Sequence, residues 1–134
     1  MANRAIRHIG VAQLVSINKQ VVSLTGEKHE YDEEDERRLK DLVDDVAKNF
    51  NDEALDEAIL LKASLIAFRV AAGQHFREGN KRTALVAMSA FLRMNGQVID
   101  VQDPGLVTSI DKAGIGNARL VDVENVLRRL ISHE

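Results

Sequence analysis

Residues 74–84 read QHFREGNKRTA and stand between two helical sequence patterns. Gly79 and Asn80 break the first pattern and open the second, because both residue types adopt backbone conformations that most residues avoid. The second helix therefore begins with free backbone amides, which attract an anion together with the positive end of the helix dipole. Lys81 and Arg82 add two positive charges at the same place. The run predicts a phosphate-binding site.

Glu78 directly precedes this helix start. A carboxylate beside a phosphate-binding helix end can hold a magnesium ion that bridges to the phosphate oxygens, and the sequence predicts Glu78 as that metal ligand. The alternative is plainer. Glu78 would then be a surface acid at a helix end, and Lys81 and Arg82 would be two solvated cations.

The composition predicts one folded, cytoplasmic domain spanning residues 1–134. Hydrophobic residues make up 45% of the 134, and there is no cysteine for a disulfide framework or a thiolate zinc site. No charged-then-apolar signal segment is visible at the N-terminus, so the cytoplasm is the expected location. The longest apolar region, residues 54–72, contains four charged side chains, which favours a core helix over a membrane span.

Charge is distributed unevenly along the chain. Residues 27–57 contain fourteen acids and five Lys or Arg, whereas residues 69–93 contain five Lys or Arg and one acid. A locally basic segment suits a bound polyphosphate, although solvated helix faces of opposite sign give the same count. The net charge of −3 argues against direct nucleic-acid binding.

The spacing of apolar residues predicts an all-α bundle of about six helices. The third helix is apolar nearly all round, so we expect it to be central, with the motif loop joining it to a second central helix. The sequence predicts a loop or short hairpin at residues 24–31 and allows an extended segment at residues 97–101. The first two predicted helices cover residues 10–23 and 33–50, and the second follows Asp32. The third is capped by Asn51 and Asp52 and continues to residue 72. The last three cover 80 or 81 to 94, 104–113 and 122–132.

The run 74–84 resembles the signature of the Fic/Doc family, His-x-Phe-x-(Asp/Glu)-Gly-Asn-(Gly/Lys)-Arg. Eight of the nine positions match when the free ones are counted. The Fic branch has a Gly after the Asn and a second Arg three residues after the first, where this chain has Lys81 and Leu85. The sequence Asn-Lys-Arg-Thr-Ala is similar to the Doc (death on curing) toxins. The resemblance implies the helical Fic/Doc fold.

The resemblance also implies roles for individual residues. Glu78 would hold Mg²⁺, and Gly79, Asn80, Lys81 and Arg82 would bind the phosphates of ATP or another nucleoside triphosphate. Phe76 would anchor the loop in the core. In the family, a flap near residues 24–31 receives the backbone of the target protein as an added strand.

Gln74 stands where the family has its catalytic His. That His takes the proton from the attacking hydroxyl, and an amide cannot accept a proton at neutral pH, so we expect turnover to be impaired. Three explanations remain open: a naturally degenerate member, a deliberately silenced one, or a shifted loop in which His75 substitutes. On its own, His75 is expected to be a surface histidine.

By resemblance, the function is that of a toxin in a toxin–antitoxin module. Such a protein transfers phosphate or AMP from a nucleoside triphosphate to a hydroxyl of a translation protein, and a separate antitoxin restrains it. Ser23 to Glu27 fits part of the family's inhibitory helix motif, which we interpret as coincidence because the segment lacks a helical pattern. The alternatives are an inactive binding or regulatory module with the same fold and, less favoured by the acidic balance, a helical DNA-binding protein.

Overall fold

The computed structural model describes residues 6–131, which form six α-helices and no strand. The all-α prediction of six helices is confirmed. The predicted end of the last helix at Ser132 lies outside the described residues. The helices are α1 (Val11–Ser23), α2 (Glu33–Lys48), α3 (Leu55–Gly73), α4 (Asn80–Met94), α5 (Pro104–Gly114) and α6 (Leu120–Ile131).

Helix α3 lies at the centre of the bundle. It contacts α4 most extensively and also packs against α2, α5 and α6. The prediction of a central third helix is confirmed, and its burial follows from its nearly continuous apolar sequence. Its fully buried apolar residues are Ala63, Ile66, Ala67, Val70 and Ala71.

The junction between α2 and α3 differs from the prediction. Phe50 lies beyond the end of α2 in a left-handed conformation (φ 68°) and packs against the core from the loop. The expected cap of α3 by Asn51 and Asp52 is also wrong, because the N-cap is Ala54. Asn51 instead donates to the carbonyls of Ala47 and Lys48, so it caps the end of the preceding helix.

The segment between α1 and α2, residues 24–32, is a turn followed by coil. The loop prediction is confirmed and the hairpin alternative is wrong. Within residues 6–131, the segment at 97–101 is likewise not paired into a strand. None of the described helices is long and apolar enough to span a bilayer.

Lys62 is the one charged side chain fully buried within the described core, at 0% exposure. Its Nζ donates to the carbonyl oxygens of Val46 (2.6 Å) and Ala47 (3.1 Å), near the end of α2. Burial lowers the pKa of the Lys62 ammonium. The side chain therefore fastens α2 to α3 by satisfying carbonyls that the helix end leaves without intrahelical partners.

We expect Lys62→Met to lower the free energy of unfolding by about 1–3 kcal/mol, because it leaves the Val46 carbonyl without its buried donor, and the Ala47 carbonyl with only Asn51, while keeping the aliphatic stem. Urea denaturation measures the change. Lys19→Met, at an exposed position of α1, is the matched control and should change stability by less than about 0.5 kcal/mol. A Lys62→Met protein as stable as the original would mean that desolvating the ammonium cancels the gain from capping.

Candidate anion-binding site

The motif loop, residues 74–79, begins and ends with a left-handed residue. The sequence predicts that α3 ends at residue 72, but Gly73 is its last helical residue and the residue in the left-handed conformation is Gln74 (φ 50°, ψ 49°). At the other end Gly79 has φ 77°. The guanidinium of Arg38 donates to the Gly73 carbonyl and so caps α3. The two reversals turn the chain from α3 back into α4.

Asn80 closes the loop on itself. Its Oδ1 accepts from the Phe76 amide (3.0 Å) and its Nδ2 donates to the Phe76 carbonyl (2.8 Å). Asn80 is 6% exposed and Phe76 is 3% exposed, so both groups are held in the core. The side chain of Asn80 is therefore occupied by the loop, and its backbone amide is the group left for an anion.

Helix α4 begins with an open first turn. Its N-cap is Gly79, which has no side chain to accept a hydrogen bond. A Cβ on Gly79 would lie 2.9 Å from Val22 Cγ1 and 3.3 Å from Asn18 Nδ2, so this position needs glycine for its positive φ and for its contact with α1. Among the described residues no side chain caps these amides, which leaves the turn free for a ligand.

A cavity of about 500 Å³ lies over this helix end. That volume is within the range of small-molecule and cofactor sites. Every predicted site residue except His75 lines it, and α4 and α5 add further walls. The lining residues are Glu27, Gln74, Arg77, Glu78, Gly79, Asn80, Lys81, Arg82, Leu85, Val107 and Asp111.

The described lining of the cavity is balanced in charge, with three basic and three acidic side chains. Lys81 Nζ lies 3.9 Å from Asp111 Oδ1, and Arg82 Nη1 lies 4.0 Å from Glu27 Oε1. These contacts are long and exposed, so they bind weakly and can open. Sequence counting missed both acids because they are distant along the chain from the motif. The sequence feature that points to Glu27 is the Ser23-to-Glu27 spacing, which we interpret above as coincidence.

Glu78 faces the cavity and also fastens the loop at 24–32. Its Oε2 accepts from the Lys28 amide (2.8 Å). Within residues 6–131, no group of three or more His, Cys, Asp or Glu could hold a metal ion. Magnesium, however, is commonly bound through one or two carboxylates together with phosphate oxygens and water. The Glu78 carboxylate fits a site of that kind, in which phosphate oxygens and water supply the other ligands.

His75 is buried, at 3% exposure, and the expectation of a surface histidine is wrong. Its ring lies against Gly73, where an added Cβ would be 2.3 Å from Nε2. Neither ring nitrogen has a hydrogen-bond partner in the described part of the chain. Burial, followed by the charge of Arg38, lowers the pKa of His75. His75 is not among the cavity-lining residues, so the structure does not bring its imidazole to the cavity.

Gln74 faces the cavity and is linked to α5. Its Nε2 donates to the carbonyls of Ala71 and Gly114, both at 3.2 Å, and its Oε1 accepts weakly from Asn80 Nδ2 at 3.5 Å. The side chain is exposed. It therefore lies between the open turn of α4 and the wall formed by α5.

The fold and site define a class of helical protein in which a central hairpin presents a helix N-terminus, two cations and a carboxylate to one cavity. A family model described as the Fic/DOC family matches residues 7–92, which is well over half of the 134 residues, so the chain belongs to the Fic/Doc family. The matched segment ends within α4. A comparison with curated proteins gave no match.

We expect acidification to destabilise this protein partly through His75. Because the folded-state pKa of His75 is lowered, the unfolded chain binds the proton first, and stability falls as the pH drops below about 6.5. Thermal unfolding measured between about pH 7 and pH 5 should show a smaller fall for His75→Leu than for the original protein.

His8→Gln removes a largely exposed histidine whose pKa is also lowered, by partial burial and by the charge of Lys62, and it is the comparison for that measurement. It should retain most of the acid-dependent fall. Equal slopes for His75→Leu and the original protein would contradict a role for the buried imidazole.

Proposed function

We propose that this chain is a Doc-like protein that binds a nucleoside triphosphate with Mg²⁺. It would transfer a phosphate-bearing group, phosphate or AMP, to a hydroxyl of a translation protein, at a rate that Gln74 keeps low. The supporting observation is that one cavity of about 500 Å³ is lined by the first turn of α4, including Lys81 and Arg82, together with Glu78 and Gln74.

Two residues favour a Doc-like over a Fic-like orientation of the nucleotide. Lys81 replaces the Gly of the Fic branch, and its stem packs against α5, where a Cβ on Gly114 would meet Lys81 Cε at 2.7 Å. Leu85 replaces the second Arg and lines the same cavity. A cavity with an apolar side chain at that position offers one fewer cation to a triphosphate, which is consistent with transfer of the terminal phosphate.

In the proposed transfer, the hydroxyl oxygen of the target forms a bond to phosphorus while the bridging phosphate–oxygen bond breaks. The leaving group is the nucleoside diphosphate for phosphate transfer and pyrophosphate for AMP transfer. Such chemistry depends mainly on positioning and charge stabilisation, which the α4 amides, Lys81 and Arg82 would supply. Gln74 can orient the hydroxyl but cannot take its proton, so the proton passes to a phosphate oxygen or to water.

Magnesium would be held by Glu78 and would neutralise phosphate charge. The balanced lining makes this contribution important, because the three basic side chains are offset by three acidic ones. A triphosphate therefore gains little net attraction from the protein alone. We propose Mg²⁺ and ATP, or another nucleoside triphosphate, as the ligands of this site.

We further propose an antitoxin protein as the partner that restrains the activity, as in Doc-type modules, and the cytoplasm as the location. The alternative function is an inactive binding or regulatory module with the Fic/Doc fold. Gln74 is the observation that favours the alternative, because the structure gives His75 no access to the cavity.

Isothermal titration calorimetry should detect binding of ATP in the presence of Mg²⁺ and about tenfold or more weaker binding when EDTA is added. Lys81→Gln should weaken Mg-ATP binding because it removes a cation at the open helix end. Lys112→Gln changes an exposed lysine of α5 outside the cavity and should bind as the original protein does. Absence of Mg-ATP binding by the folded protein would contradict both proposed functions.

We expect Gln74→His to raise transfer by about 10²–10⁴-fold, because it supplies a general base. Histidine is also among the residues that tolerate the left-handed conformation of this position. Incorporation of γ- and α-labelled ATP into translation proteins measures the transfer and distinguishes phosphate from AMP. Growth arrest on expression is the second readout.

Gln74→Asn is the control for that substitution, since asparagine tolerates the same backbone and supplies no base. It should transfer no faster than the original protein. If a folded and expressed Gln74→His protein neither labels a target nor slows growth while still binding Mg-ATP, the toxin function is contradicted and the binding module is favoured.

A further inference from the structure

Asn18 is a polar residue in a position of α1 that its neighbours mark as apolar. Leu14, Val21 and Val22 are the other buried residues of this helix, and Asn18 is 0% exposed. A fully buried amide costs free energy unless its donors and acceptor are paired. Its presence in the core therefore calls for a set of specific partners.

Those partners belong to three different segments. Asn18 Nδ2 donates to the Glu78 carbonyl (2.8 Å) in the motif loop and to Thr83 Oγ1 (3.0 Å) in the first turn of α4. Its Oδ1 lies 2.8 Å from His29 Nδ1 in the loop between α1 and α2. Because both amide hydrogens are donated, Oδ1 accepts, and His29 must hold its proton on Nδ1.

The loop at 24–32 is fastened to the motif by further contacts. The Lys28 amide donates to Glu78 Oε2, and the Arg77 amide donates to the Glu30 carbonyl, both at 2.8 Å. The Arg77 guanidinium also pairs with the Glu30 carboxylate at 2.8 Å. Glu78 thus contacts this loop through its carboxylate, and it contacts Asn18 through its own backbone carbonyl.

We propose that Asn18 is a positioning residue that couples the loop at 24–32 to the anion-binding end of α4. This inference rests on the proposed function, since it assigns Asn18 to the arrangement of that same site. Asn18 fixes the Glu78 backbone and the first turn of α4 relative to His29. A ligand held at Glu78 and the α4 amides therefore also orders the loop, and the loop in turn holds the site in shape.

Asn18→Ala removes all three contacts. We expect Mg-ATP affinity, measured by calorimetry, to fall about tenfold. Hydrogen exchange of a peptide covering residues 24–32 should become about tenfold faster without ligand, and Mg-ATP should no longer slow it. In the original protein Mg-ATP should slow exchange in this peptide.

Asn95→Ala is the matched control. Asn95 also makes three side-chain hydrogen bonds, two with the amide and carbonyl of the distant Arg7 and one to the Phe91 carbonyl of its own helix, but it lies at the far end of α4. It should lower stability without changing Mg-ATP affinity or exchange at 24–32. His29→Phe, which keeps the ring beside Tyr31 and Phe76 and removes only the bond to Asn18, should speed exchange of the loop even if Asn18→Ala fails to fold.

The outcomes separate this inference from the proposed function. If the original protein does not bind Mg-ATP, the proposed function fails, but faster loop exchange in Asn18→Ala and His29→Phe than in Asn95→Ala still supports the link from Asn18 to the loop. If Mg-ATP binds and the Asn18 and His29 variants match Asn95→Ala in both affinity and exchange, Asn18 is only a structural residue and the inference is overturned.

Discussion

The reciprocal pair of hydrogen bonds between the Asn80 side chain and the Phe76 backbone is the constraint on which the site depends. Both the amide and the carbonyl of Phe76 are satisfied by one side chain inside the core. A loop whose backbone groups are paired in this way can be buried at one edge and open at the other. The open edge is the first turn of α4, and its orientation toward the cavity follows from the closure of the loop behind it.

Glycines at the two ends of the motif loop allow its backbone and side chains to pack closely against their neighbours. Gly79 allows α1 to contact the backbone at the start of α4, and Gly73 makes room for the imidazole of His75. These contacts let the ends of the motif loop pack closely against α1 and against the end of α3. They also place His75 in the interior, beside the site in sequence but apart from it in space.

Much of the fold follows from the sequence because helical periodicity and capping residues are local signals. The bounds of α1 and α5 were predicted within a residue, and the N-caps of α2 and α5 are Asp32 and Asp103, residues of a type that favours this position. The errors arose where a tertiary contact decides the outcome. Phe50 lies outside α2 and packs against the core from the following loop. The acids Glu27 and Asp111 line the cavity although they lie far from the motif in sequence. The buried environment of His75 could not be predicted from the sequence either, because it depends on the positions of Gly73 and Arg38 around the ring.

The wall that α5 contributes lies beyond the segment that matches the family. Val107 and Asp111 line the cavity, and Gly114 receives a hydrogen bond from Gln74. The signature and the enclosure around it are thus encoded in separate stretches of the chain. Substitutions in α5 would reshape the space offered to a ligand while leaving the motif intact, so two chains with the same motif need not accept the same ligand.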